Sequence, residues 1–427
     1  MPLVLDVNEP AIVRGIKTVG VGKKGSKPLT TQLAMEILED LNAGKVSPAA
    51  KGAFFAGLLA KGVQAHEEVL GEAFPPGVLK DPGKLVQALA PDAPEFVRWI
   101  CVQLLTGHTL DKQTAYDLGT FLFSNKPGDA LRGAVASFLR VRYETDDEYE
   151  GLWKAMQETI APVFRLPTPP GAPIVQMAEP FDGNDHSYMI TPLVADYVQG
   201  LGFRVVHMVG CNSGPKLVLN LLDVAHDLPA AFARGNQDLA GPKPRFGWFM
   251  RQRDIAPAVD AWVNIRRQII KRPFLATLER FLKPLDARII VASAFHPPYG
   301  EKMTTLAQRA GYAGIMIIRN GMEGSMALPL KRPAKILLSA RQPDGSYHRH
   351  EITVDAGTFL ESIPVWEEKR EQLTARENAR LIKEYADKGQ SGDAWFDARV
   401  KITCEGFRQG LQWLIERGGI PCLYKCA

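Results

Sequence analysis

From Leu29 onward the apolar positions recur with helical spacing. Leu33, Ile37, Leu38 and Leu41 fall on one face, and Thr30 or Thr31 offers the cap that would start the helix. Gly44 stops it, Ser47 and Pro48 start the next, and residues 53–59 are small and apolar enough for close helix packing. Further helices are predicted at 94–105, 112–123, 129–143 and 147–160, so the first 165 residues read as all-helical. Residues 166–173, Leu-Pro-Thr-Pro-Pro-Gly-Ala-Pro, cannot continue a helix, because proline lacks the N–H that the ladder needs. Beyond that break the pattern changes. Short β-branched apolar runs at 174–177, 204–209, 288–292 and 314–319 alternate with helical stretches, which predicts a mainly parallel sheet covered on both faces. A long helical insertion, 246–284, separates the second and third runs.

At 427 residues the chain exceeds the roughly 250–300 at which single cores stop growing, so two domains are expected. The fold class is α+α/β: a small helical-bundle domain at 1–165, and a larger α/β domain at 172–427. Hydrophobic residues are 46% and charged residues 23%, which argues against both a disordered chain and a membrane-spanning one. The opening Met-Pro-Leu-Val-Leu-Asp-Val has no basic segment followed by an apolar run, so a cytoplasmic location is expected. Five scattered cysteines are too few and odd in number for a disulfide framework. Cys422 and Cys426 could share a helix face, but no nearby histidine completes a metal site.

The net charge of +4 is too mild to imply nucleic-acid binding by itself, so clustering must decide. Residues 14–27 carry five basic residues and four glycines with no acid, the composition of a flexible cationic arm or of a solvated terminus. Within it, Lys23, Lys24 and Lys27 are candidate phosphate contacts. The 246–284 insertion holds Arg251, Arg253, Arg266, Arg267, Lys271, Arg272, Arg280 and Lys283 against Asp254, Asp260 and Glu279. Trp248 and Phe249 lie beside the first two arginines, the mixture of cation and aromatic used for phosphate contact and base stacking; a solvated basic helix face is the plainer alternative.

Two stretches carry a family resemblance. Residues 29–62 follow a helix, short glycine turn, Ser-Pro cap and second helix, and residues 265–284 read Ile-Arg-Arg-Gln-Ile-Ile-Lys-Arg-Pro-Phe through Phe-Leu-Lys-Pro. Both resemble the anthranilate phosphoribosyltransferases, whose fold is related to that of the pyrimidine nucleoside phosphorylases. The resemblance implies that 246–284 returns to the helical domain, and that the helical domain forms a homodimer.

The resemblance also assigns the chemistry, and there the residues depart from it. The family cradles a diphosphate with Gly-Thr-Gly-Gly-Asp and an Asn-Ile-Ser-Thr helix start. Here the matching stretch runs Glu179-Pro180-Phe181-Asp182-Gly183-Asn184-Asp185-His186 to Thr191, with acids and a proline where backbone donors are wanted. The second phosphate loop keeps His207 and continues to Asn212, Ser213 and Lys216, without the family's flanking Lys and Arg. Asp182, Gly183, Asn184, Thr191, His207, Asn212, Ser213 and Lys216 are thus the implied phosphate-loop positions. Arg266 stands where the family places its anthranilate-contacting arginine, or is a structural ion-pair former. Glu323 is a single carboxylate where the family has an Asp-Glu pair, so Mg2+ is expected only together with bound phosphoribosyl diphosphate.

The altered loop, the Gly-Lys-Lys-Gly segment and His296-Pro297-Pro298-Tyr299 resemble a divergent branch of that family which keeps the fold and binds single- or double-stranded nucleic acid. The function expected is a transferase-fold protein with a degenerate phosphoribosyl-diphosphate site that binds nucleic acid without sequence preference. An active pentosyl or glycosyl transferase for an aromatic or base-like acceptor is the alternative, and an assembly or regulatory module a third.

Overall fold

The computed structural model describes residues 8–22, 25–184, 186–214, 218–319, 324–364 and 373–420. The chain forms two compact units. One comprises Met1–Thr159, Ser213–Pro215 and Ala261–Leu278; the other comprises Ile160–Asn212, Lys216–Asp260 and Glu279–Ala427.

The first unit is built from α1 (Ala11–Val19), α2 (Thr31–Asn42), α3 (Pro48–Lys61), α4 (Pro82–Leu89), α5 (Glu95–Leu105), α6 (Lys112–Leu122), α7 (Asp129–Arg142) and α8 (Asp146–Gln157). Its starts are set locally. The Thr30 hydroxyl accepts from the Leu33 N–H at 3.2 Å, Ser47 does the same for Ala50 at 3.4 Å, and Pro48 occupies the first position of α3. Its packing is set by glycine: a Cβ on Gly52 of α3 would run into the Ala130 carbonyl, and one on Gly133 of α7 into that of Ala49, so the two backbones touch. Trp262, at the start of the Trp262–Ile269 helix, joins this unit by donating its indole N–H to Leu122 O at 2.9 Å.

The first half of the expected arm is instead a helix. Ala11, Ile12, Gly15, Ile16 and Val19 of α1 are buried, at a helical spacing of one face. Arg14 pairs with Glu36, and Lys17 with Glu9 at 2.5 Å. Two of the five cations that suggested a mobile terminus are therefore held by acids, both of which lie outside the stretch in which none was counted. Lys23 and Lys24 lie outside the described residues, and Lys27 is exposed.

The second unit is organised by an eight-stranded sheet in the order β3-β4-β2-β1-β5-β6-β7-β8. The strands are β1 (Ile174–Ala178), β2 (Arg204–Val209), β3 (Ala231–Phe232), β4 (Trp248–Arg251), β5 (Ile289–Ala294), β6 (Gly314–Arg319), β7 (Ala334–Arg341) and β8 (Tyr347–Val354). Pairing is parallel from β3 through β6 and antiparallel for β6 with β7 and β7 with β8. Successive side chains of β7 point to opposite faces. Ile336 and Leu338 meet the Ala394–Gly418 helix, whose Gly406 and Gly410 allow the approach, while Leu337 and Ser339 meet the Pro297–Arg309 helix at Gly300 and Gln308. The sheet is thus mainly parallel and covered on both faces, as the sequence predicts. The segment 246–284 does not act as one piece: residues 248–251 are a sheet strand, and only Ala261–Leu278 belongs to the helical unit. Among the described residues no helix is long and apolar enough to cross a membrane.

Candidate functional site

The strand order places a switch point at β1. It pairs with β2 on one side and β5 on the other, so the chain first winds one way from β1 and later returns to its opposite edge. Ligands of such sheets bind outside the carboxyl ends of the strands at this point. Here the loop leaving β1 contains Glu179, Asp182, Gly183 and Asn184 and ends at Thr191, the first residue of the Thr191–Gly200 helix.

Every one of these five residues is buried. The Gly183 N–H donates to Pro180 O at 3.4 Å, the Asn184 N–H to Leu219 O at 2.9 Å and the Met189 N–H to Asn378 Oδ1 at 3.0 Å. Gly183 has φ +84°, and a Cβ there would lie 2.5 Å from Leu219 O and 2.6 Å from Val218 O. The close approach that a glycine permits is thus used by peptide carbonyls, which repel an anion. Glu179 is 3% exposed and accepts from the Met326 N–H at 2.8 Å. Burial pushes its carboxyl above the usual range, only partly offset by that N–H and by the Thr191 hydroxyl.

The loop leaving β2 is closed against the first. The Phe181 ring occupies the space where a Cβ on Gly210 would lie, 2.5 Å away. Asn220 donates from Nδ2 to Phe181 O and Gly210 O, both at 2.9 Å, and its Oδ1 caps the Leu221–His226 helix by accepting from Leu222 and Asp223. One side chain therefore ties both loops to a helix start. Sequence reasoning missed it, although Asn220-Leu221-Leu222-Asp223 is a capping-box pattern. Asn212 donates to Val218 O, and Ser213 is buried.

His207 lies within β2, fully buried, with Nε2 2.8 Å from Phe246 O and its ring stacked on Phe249 at 4.5 Å. Burial pulls its pKa down to about 4, so at neutral pH it is an uncharged core residue and not a loop cation. Lys216 and Glu323 lie outside the described residues. Among the described residues no group of three or more His, Cys, Asp or Glu side chains could hold a metal ion.

The basic segment separates into interior and surface members. Arg266 is 1% exposed and Lys271 6%; Lys271 donates to Ser137 Oγ at 2.8 Å. Trp248 is 4% exposed in β4, so its ring cannot serve as an open stacking platform. Arg251 is half-buried, pairs with Asp254 at 2.5 Å and lies over the Phe232 ring. Arg272 is half-buried, and Arg253 and Arg267 are exposed. Trp248, Arg251 and Arg253 belong to the α/β unit, and Arg266, Arg267, Lys271 and Arg272 to the helical one.

No family model matches the chain. An uncharacterized protein of Aquifex aeolicus is 24% identical over 228 residues, 53% of this chain and 67% of that one. The uncharacterized protein YbiB of Escherichia coli is 25% identical over 240 residues, 55% and 72% of the two chains. A shorter stretch of 52 residues, 12% of this chain and 16% of the other, is 48% identical to an anthranilate phosphoribosyltransferase of Thermoplasma acidophilum. Among solved structures, the anthranilate phosphoribosyltransferase of Thermus thermophilus superposes with TM-score 0.58 at 16% identity, covering 76% of this chain and 90% of that one. The Saccharomyces cerevisiae enzyme in complex with PRPP and Mg gives 0.56 at 14% identity, covering 73% and 89%. The chain has the fold of the anthranilate phosphoribosyltransferases.

Proposed function

We propose that this phosphoribosyltransferase-like protein has a degenerate donor site and does not transfer phosphoribosyl groups to anthranilate. The observation that carries this reading is the β1 loop. Its Gly183 and Asn184 N–H groups are consumed by Pro180 and Leu219 carbonyls, and the approach to Gly183 is lined by two further carbonyl oxygens. A diphosphate cradle needs such N–H groups turned toward the anion. Calorimetric titration with phosphoribosyl diphosphate and magnesium should give no saturable binding below about 1 mM. Anthranilate turnover near 1 per second, within the ordinary enzyme range, would refute the reading.

The finer reading is non-specific nucleic-acid binding by charge, carried by exposed Lys27, Arg253 and Arg267 together with the Lys23 and Lys24 segment. With Trp248 in the sheet, the support is electrostatic rather than from stacking. Affinity for a labelled single-stranded oligonucleotide should fall steeply with salt, and Arg253→Ala should lower the log–log slope by roughly 0.7. Absence of binding at low salt removes this part of the proposal and leaves the first intact. Homodimer formation through the helical unit is proposed with it: Met35, Phe96 and Trp99 of that unit are exposed at 44%, 43% and 56%, and burying such side chains is what association rewards. Sedimentation that shows only monomer at micromolar concentration would contradict it.

A further inference from the structure

Among the described residues two that are not glycine have positive φ, Tyr143 at 69° and Ile270 at 52°, and both border one patch of the helical unit. Ile270 ends the Trp262–Ile269 helix in the left-handed conformation, and the next residue, Lys271, reaches Ser137 of α7 and packs against Gly20. Tyr143 ends α7 with ψ 138°, outside the left-handed helical well, which for so bulky a residue is a genuine outlier. The strain does not serve to bury the ring, since Tyr143 is 43% exposed. Backbone held in such a conformation clusters at functional sites, where the surrounding structure enforces it.

The surroundings of Tyr143 are built and cationic. A Cβ on Gly22, whose φ is +124°, would lie 3.8 Å from the Tyr143 hydroxyl. From Gly22 the chain folds into a turn: the Gly25 and Ser26 N–H groups donate to Gly22 O at 3.1 and 3.2 Å, and the Lys27 N–H ties the turn to Thr18 O at 3.0 Å. Lys27 itself is exposed. Arg140, one turn before Tyr143 on α7, is half-buried and close enough to Lys271 for the two cations to repel. Of the acids that follow in the chain, Glu144 is buried, and Glu148 is spent on Arg142 and on the Leu110 and Thr145 N–H groups. Asp146 and Asp147 are exposed, but they stand in the first turn of α8, where the positive end of the helix offsets them.

We infer that Tyr143 is the ring on which a base of single-stranded nucleic acid stacks, with the flanking phosphates lying toward Lys27 and Arg140. The inference rests on the nucleic-acid reading above, and it supplies the aromatic surface that Trp248, buried in the sheet, does not. Sequence-tolerant binding of single strands pairs an exposed aromatic ring with neighbouring cations. A ring whose backbone is fixed at the end of a helix also has less freedom to lose when the base arrives.

The test is fluorescence anisotropy on the full chain with a labelled oligothymidylate at several salt concentrations, together with thermal melting. Tyr143→Phe keeps the ring and should bind as the wild type does. Tyr143→Gly removes the ring and suits positive φ. It should weaken binding roughly tenfold or more, with an unchanged log–log salt slope and a thermal midpoint at or above that of the wild type. Wild-type affinity in Tyr143→Gly overturns the stacking assignment and leaves the nucleic-acid reading standing. So does a loss that Tyr143→Phe shares, or a midpoint about 5 °C or more lower in Tyr143→Gly, which would make the ring a structural prop. A wild type that fails to bind the oligonucleotide at low salt overturns both.

Discussion

In the helical unit two helix backbones touch, at Gly52 with Ala130 and at Gly133 with Ala49. In the α/β unit the backbone is satisfied by sheet ladders, and its closest loop approach, at Gly183, is stapled by peptide carbonyls. Each unit also buries an ionisable side chain that lacks a full counter-charge. Lys271 has a serine hydroxyl and the repulsion of nearby Arg140, and burial brings its pKa down to about 7. Glu179 has one peptide N–H, that of Met326, and burial pushes its carboxyl up. The comparison teaches that charge in the sequence is a poor guide to surface: both groups are driven toward their neutral forms by the same loss of water.

The largest expected effect tests the helix contact. Gly52→Val places a branched side chain against a backbone carbonyl that cannot move without separating α3 from α7, and should cost at least about 4 kcal/mol. A thermal midpoint within about 2 °C of wild type would show that the unit is not closed by this contact.

Next is Lys271→Met, which keeps the stem and removes the charge. The folded-state pKa lies below the unfolded value near 10.4, so the unfolded chain binds the proton more tightly and the lysine destabilises the fold most below pH 7. The substitution should therefore stabilise by on the order of 2–4 kcal/mol at pH 6, with the gain shrinking as pH rises from 7 toward 10. Urea midpoints at the two ends of that range read it. A gain that is independent of pH would mean that the ammonium is not desolvated.

Gly183→Ala is expected to cost about 2 kcal/mol, from positive φ together with the collision at Leu219 O. If the alanine form is as stable as wild type, the loop is not closed as described, and the argument against a phosphate cradle fails with it. The smallest effect belongs to Glu179→Gln, since the amide oxygen can still accept from Met326. A gain of about 1 kcal/mol is expected at pH 8. Because the folded carboxyl titrates above its unfolded value, the wild type loses stability as pH rises through that interval, so the gain should vanish by about pH 4. An equal gain at both pH values would sink that account.

Much of this was legible before any coordinates. The caps at Thr30 and Ser47, the proline break and four of the sheet strands follow from local chemistry: hydroxyls before apolar runs, imino nitrogens, and continuous β-branched residues. Other elements had signals that were passed over. Residues 11–19 show helical spacing beneath their charges. Trp248-Phe249-Met250 is an apolar run of strand length, and Pro343-Asp344-Gly345 marks the turn between β7 and β8. Aromatic and basic composition outweighed pattern there, and pattern was right.

The sequence by itself determined most of the helices of the first 165 residues and four strands of the sheet, and that the stretch after β1 holds acids and a proline in place of a glycine cradle, because those properties reside in neighbouring residues. Only the tertiary structure decided which charges are interior. Lys271 and Arg266 stand between exposed or half-exposed basic residues in a single short segment, and nothing local separates them. Burial is fixed by what packs from elsewhere in the chain: Ser137 lies 134 positions from Lys271, and Leu219 closes over Gly183 from 36 positions away in the same unit. Desolvation depends on such distant partners, so it is absent from any window of the sequence.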